Sequence, residues 1–114
     1  IAIPDAVEML IKNGVDLQRV TISSDANGSN PDGGINIIGS LFEDIINCIV
    51  QKNIKPEIIF SLVTENVSKR LKQYPKKGTI SEGSDADILI MDKKYKIEKL
   101  FCLGKLMIDG GDLV

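Results

Sequence analysis

The chain has 114 residues, 43% hydrophobic and 26% charged, a length that suits one small domain or a piece of something larger and a composition that excludes intrinsic disorder. A net charge of −2 with only 4% aromatic residues excludes the basic footprint and stacking surfaces that hold nucleic acid. The absence of histidine removes every triad or dyad with an imidazole base and every self-contained zinc site with His ligands.

A first helix is punctuated by Pro4, by Asp5 and Glu8 near its positive end and by Gly14 after its last turn, with Ile3, Val7, Leu10 and Ile11 as its apolar stripe. Residues 17–22 read as a short buried strand, and Ser23, Ser24 and Asp25 follow at its carboxyl end. Residues 25–39 are dense in turn formers and make a connection well beyond the usual roughly 4–6 residues, the length at which loops carry function. Ser40 and Glu43 form a capping box for a second helix whose wide apolar face includes Leu41, Phe42, Ile45, Ile46, Ile49 and Val50, and which stops near Asn53.

Pro56 opens a third helix that carries Ile59, Phe60, Leu62, Val63, Val67 and Leu71 and ends in Lys69, Arg70 and Lys72. Residues 73–78 read as a linker. Beyond them the pattern turns to β: 88–91 is a continuous apolar strand, and 100–103 and 106–108 flank Gly104-Lys105, a pair suited to a type II′ hairpin. No apolar run approaches the roughly 18–20 residues that span a bilayer. Cys48 and Cys102, both in apolar segments, read as buried free thiols of a reducing compartment, hence a cytoplasmic location.

Asp25 is the pivotal candidate, because in parallel α/β architectures the strand ends and their following loops gather ligands and catalytic groups. A carboxylate there can ligate a metal and move a proton between water and a leaving group; equally, Ser24 and Asp25 can simply initiate a turn. Ser29 and Asn27, with the backbone N–H groups around Gly28, can bind an anion in a concave nest, or can line a solvated loop. Asp85 and Asp87 are two apart and could suggest a metal, but a structural role, accepting backbone hydrogen bonds where the chain enters its strand, is preferred.

The stretch Lys77-Gly-Thr-Ile-Ser-Glu-Gly-Ser-Asp-Ala-Asp-Ile-Leu-Ile-Met-Asp92, followed by 97–110, resembles the C-terminal end of amidohydrolase-superfamily enzymes. Within that superfamily, Val20-Thr-Ile-Ser-Ser-Asp-Ala-Asn-Gly-Ser-Asn-Pro31 is similar to the last barrel strand and following loop of the isoaspartyl (beta-aspartyl) dipeptidases, and Leu62-Val-Thr-Glu-Asn-Val-Ser68 to their final barrel helix. Ala26 and Ser68 are small departures, standing where glycine and alanine are usual.

The resemblance implies an α/β fold: the C-terminal fragment of a (β/α)8 TIM-barrel metal-dependent hydrolase, residues 1–74, plus C-terminal strands of a small β-sandwich domain, residues 75–114. It implies hydrolysis of β-aspartyl dipeptides, with Asp25 as catalytic residue and metal contact and Ser29 as substrate anchor. It also implies two divalent metals, usually zinc, whose other ligands come from earlier barrel strands, so that these residues are inactive alone. The implied partners are a dipeptide substrate, the rest of the polypeptide and further copies in a homo-oligomer, with no nucleic acid and no membrane. Two alternatives stay open: another superfamily enzyme acting on a cyclic amide in the manner of a dihydroorotase, and a non-catalytic α+β module.

Overall fold

In a computed structural model that describes residues 1–23 and 37–114, the chain divides into two units, Ile1–Val67 and Ser68–Val114, with the division inside one helix. The first unit is helical. Helix α1 (Ile3–Lys12) starts with proline in its first turn and ends in a Schellman motif: Val15 N–H reaches Leu10 O and Gly14 N–H reaches Ile11 O, both at 3.1 Å, with Gly14 at φ +69°. Glycine meets that positive φ without the Cβ penalty. Of the expected stripe, Val7 is buried, Ile3 and Leu10 are half-buried, and Ile11 lies at the exposed margin.

Helix α2 (Ile37–Val50) already runs at Ile37, so Ser40 is a helical residue and the capping box expected at Ser40 and Glu43 does not open it. Its buried positions Ile45, Cys48 and Ile49 follow the i, i+3, i+4 spacing of one face, whereas Val50, counted on that face from the sequence, points outward. These side chains form the unit's core with Val7, Ile54, Ile59 and Leu62. Lys52, just beyond α2, pairs with Asp5 at 2.9 Å and Glu8 at 3.4 Å on α1.

The expected third helix is two. Helix α3 (Pro56–Ser61) and helix α4 (Glu65–Arg70) are separated by a turn at 62–64. The amides of Leu62 and Val63 bond three residues back, to Ile59 O and Phe60 O, and the hydroxyls of Ser61 and Thr64 donate to Ile58 O at 2.6 Å and Phe60 O at 2.7 Å. Such side-chain competition and i−3 bonding end a helix even where its apolar spacing continues.

The second unit is an antiparallel meander in the order β1-β2-β3-β4: β1 (Ile88–Met91), β2 (Ile97–Cys102), β3 (Lys105–Asp109) and β4 (Asp112–Leu113). Its strand pairs are all antiparallel, so the parallel α/β pairing expected from the sequence is not found among the described residues. The β2–β3 turn is centred one residue earlier than expected. Cys102 pairs with Lys105, and Leu103 and Gly104 are the two central residues, with φ +51° and +79°. Two positive φ values define a type I′ turn, not II′. Cys102, at the strand end beside this turn, is exposed, and only Cys48 is a buried thiol as expected.

The supposed linker is tied into this unit. Ser68 Oγ donates to Lys77 O at 2.6 Å, Ser84 Oγ to Pro75 O at 2.6 Å, and Asp85 N–H to Lys76 O at 2.7 Å.

Candidate functional site

Asp25 and Ser29, the two site residues singled out in the sequence, lie outside the described residues, as does Asn27. The chain leading to them is described, and it is held with care. Residues 17–22 are not a ladder strand: Leu17–Arg19 is a single 3-10 turn, initiated by Asp16, whose Oδ1 accepts the Gln18 N–H at 3.1 Å. From Val20, with φ −102° and ψ 136°, the backbone is extended. A strand needs a neighbouring strand to pair with, and among the described residues no strand pairs with 20–23.

What holds this segment is the α3–α4 region. The Ile22 N–H donates to Leu62 O at 3.2 Å. Asn66, on α4 and only 5% exposed, donates through Nδ2 to Leu17 O and to Val20 O, each at 2.8 Å. Sequence reasoning gave Asn66 no role, because its partners stand 49 and 46 residues away and no local spacing announces them.

The other acidic candidates are structural. Lys77 Nζ sits between Asp85 and Asp87, at 3.1 and 2.7 Å, and Asp87 also accepts the Leu103 N–H at 2.8 Å. The Lys77 hydrogen bond first, and the Leu103 amide second, hold the Asp87 carboxyl below the usual carboxylate range. The same contacts, Asp87 before Asp85, push Lys77 above the usual lysine value. A carboxylate pair bridged by an ammonium has its charge satisfied and offers little to a metal ion.

Among the described residues no three His, Cys, Asp or Glu side chains come together as a group that could hold a metal. Catalytic zinc draws on about three protein ligands, so the described residues do not by themselves fit a resident metal. Burial, followed by the nearby charge of Asp44, pushes the Cys48 thiol up, away from the thiolate that nucleophilic chemistry needs. No helix among the described residues is long and apolar enough to cross a membrane.

Residues 4–110 match the amidohydrolase family. The chain belongs to that family. Among solved structures, this amidohydrolase-family chain is similar to the beta-aspartyl dipeptidase of the thermophilic, keratin-degrading Fervidobacterium islandicum AW-1, with a TM-score of 0.81 and 27% identity over 97% of this chain and 28% of that one. A second structure, the beta-aspartyl dipeptidase from the same organism in complex with a beta-Asp-Leu dipeptide, shares the fold with a TM-score of 0.80 at 23% identity, over 97% of this chain and 32% of that one. The chain therefore spans about three-tenths of the length of these structures. The family seen in the motifs at 20–31, 62–68 and 77–92 is the family found.

Proposed function

We propose that these residues are the C-terminal part of a metal-dependent hydrolase of β-aspartyl (isoaspartyl) dipeptides, with 1–74 completing a (β/α)8 barrel and 75–114 contributing strands to a small β-sandwich. The likeness to a beta-aspartyl dipeptidase over nearly the whole chain is the observation that carries this reading. The motif at 20–31, with its acid and its serine, supports it.

In this reading the Asp25 carboxylate takes a proton from the attacking water and delivers it to the departing amine as the amide C–N bond breaks, the work of a positioned general base and acid. Ser29 donates a hydrogen bond to a substrate carboxylate, a charge-assisted contact that fixes the dipeptide's orientation. Divalent metal, zinc in the first instance, belongs to the assembled enzyme. Asp25 is the one ligand this chain would offer, and the others would lie elsewhere in the protein.

The test uses the full-length protein that carries these residues. It is expected to hydrolyse β-Asp-Leu and to leave the α-linked isomer intact, and Asp25→Asn is expected to lower kcat by about 10²–10⁴-fold with the fold unchanged by circular dichroism. Equal hydrolysis of both isomers, preference for a cyclic amide, or full activity in Asp25→Asn would overturn the assignment.

A further inference from the structure

We infer that Asn66 is a positioning residue for the reaction, holding in place the backbone that leads into Asp25. The inference rests on the reading of Asp25 as the acid and base of a β-aspartyl dipeptidase.

A primary amide carries two N–H donors in one rigid plane. Asn66 directs its amide nitrogen at two carbonyls three residues apart on one turn, Leu17 O and Val20 O, each at 2.8 Å. Leu17 O also receives the Val20 N–H at 3.1 Å, so Asn66 completes a hydrogen-bonded turn instead of competing with it. At 5% exposure the contact is shielded from water. Removing the donor would take from Val20 O the partner that Asn66 supplies, while Leu17 O keeps the Val20 N–H.

An asparagine serving only its own helix bonds to backbone within a few residues, as a cap or turn. Asn66 reaches a segment remote in sequence, and the adjoining turn makes the third tie through Leu62 O to Ile22 N–H. The chain is thus fastened at Leu17, Val20 and Ile22 to one short stretch, 62–66. Asp25 follows three residues after the last tie, within roughly 10 Å of contour. A catalytic group must be held to about 0.5 Å, and a shift of about 1 Å can cost about 10²-fold in rate. The fastening at 62–66 sets the last described ties before Asp25, at Leu17, Val20 and Ile22.

The experiment compares Asn66→Ala, Asn66→Asp and Ile59→Val in the full-length protein, well below their melting temperatures. Asn66→Asp keeps the side-chain size but replaces the donor with an oxygen facing two carbonyls. Ile59→Val trims a fully buried α3 side chain, which lowers stability with no bond to 17–22 removed. With β-Asp-Leu as substrate, both Asn66 variants are expected to lose about 10²-fold in kcat with KM nearly unchanged, while Ile59→Val keeps wild-type kcat. Hydrogen exchange over 17–23 is expected to accelerate in the Asn66 variants alone.

Wild-type kcat in both Asn66 variants would overturn the inference, as would unchanged exchange at the Ile22 amide. If the wild-type protein leaves β-Asp-Leu untouched, or Asp25→Asn keeps full activity, the function proposed above falls. The exchange measurement then still decides whether Asn66 holds this segment.

Discussion

The Lys77 ammonium lies 2.7 Å from Asp87 Oδ2, and the other oxygen of that carboxylate accepts the Leu103 N–H at 2.8 Å. One aspartate thereby joins the segment before the sheet to the tip of the β2–β3 hairpin. The Gly104 N–H, donating to Ala86 O at 2.9 Å, completes the attachment.

This contact has a defined pH window. The folded Asp87 carboxyl is held down by Lys77 and then by the Leu103 amide, so its stabilisation is present above the unfolded carboxylate value of about 3.9 and is lost as pH falls through the lower folded value. Lys77 is raised by Asp87 and Asp85, so its share is present below about 10.4 and is lost as pH rises through the higher folded value. Asp87→Asn keeps an acceptor for Leu103 and removes the charge. It should flatten the acid limb of the sheet unit's stability against pH, measured by urea denaturation from pH 2 to 7, and a limb as steep as wild type would show that other carboxylates produce it.

The hairpin tip itself is improvable. Leu103 sits at φ +51°, where a non-glycine L-residue pays roughly 1–2 kcal/mol in steric strain, and the residue is 72% exposed, so little packing offsets that cost. Leu103→Asn creates the Asn-Gly pair favoured in type I′ turns. It should stabilise the sheet unit by about 0.5–1 kcal/mol, read as a higher urea midpoint at constant slope, whereas the β-branched Leu103→Val should lower the midpoint.

How much of this was legible in the sequence depends on whether the signal is local. Strand β1 is legible at its true limits because Ile88–Met91 is an unbroken apolar run between polar turns, and the end of α1 because Gly14 is the residue a Schellman motif demands. The start of β2 at Ile97 is not legible: Glu98 and Lys99 interrupt the apolar pattern, and the ladder register shifts between Leu100 and Phe101. The break between α3 and α4 was masked by apolar spacing that runs through it, while the residues that make it, Ser61 and Thr64, act through hydroxyl bonds that a periodicity cannot show. Asp25 stands out by its place after an apolar run and Ser29 by its glycine-bearing turn, each beside a plain turn or loop reading, and only the family likeness gives them specific roles on a dipeptide. Asn66 was out of reach, since its meaning lies in contacts 46 and 49 residues away.

Leu62 joins both kinds of information, a fully buried side chain in the helical core and a carbonyl that anchors Ile22. Truncation to alanine leaves the carbonyl and opens a cavity, at a cost of about 2–5 kcal/mol. Leu62→Met, which conserves volume, should cost less than about 1.5 kcal/mol. Thermal or urea unfolding of the full-length protein measures both, and equal losses would mean that packing at this site does not set the stability of the helical unit.

Ser29 offers a prediction that separates binding from chemistry. A hydrogen bond from its hydroxyl to a charged substrate group is worth about 1.5–3 kcal/mol, and a contact made alike in the ground and transition states appears in KM with kcat nearly unchanged. Ser29→Ala should therefore raise KM for β-Asp-Leu by about 10–100-fold. A β-aspartyl substrate amidated at the carboxylate proposed to meet Ser29 should be cleaved equally well by wild type and variant, because the partner of the hydroxyl is already gone. A kcat collapse in Ser29→Ala with KM unchanged would place the serine in the chemical step instead, and the same loss on both substrates would mean that it does not bind the carboxylate.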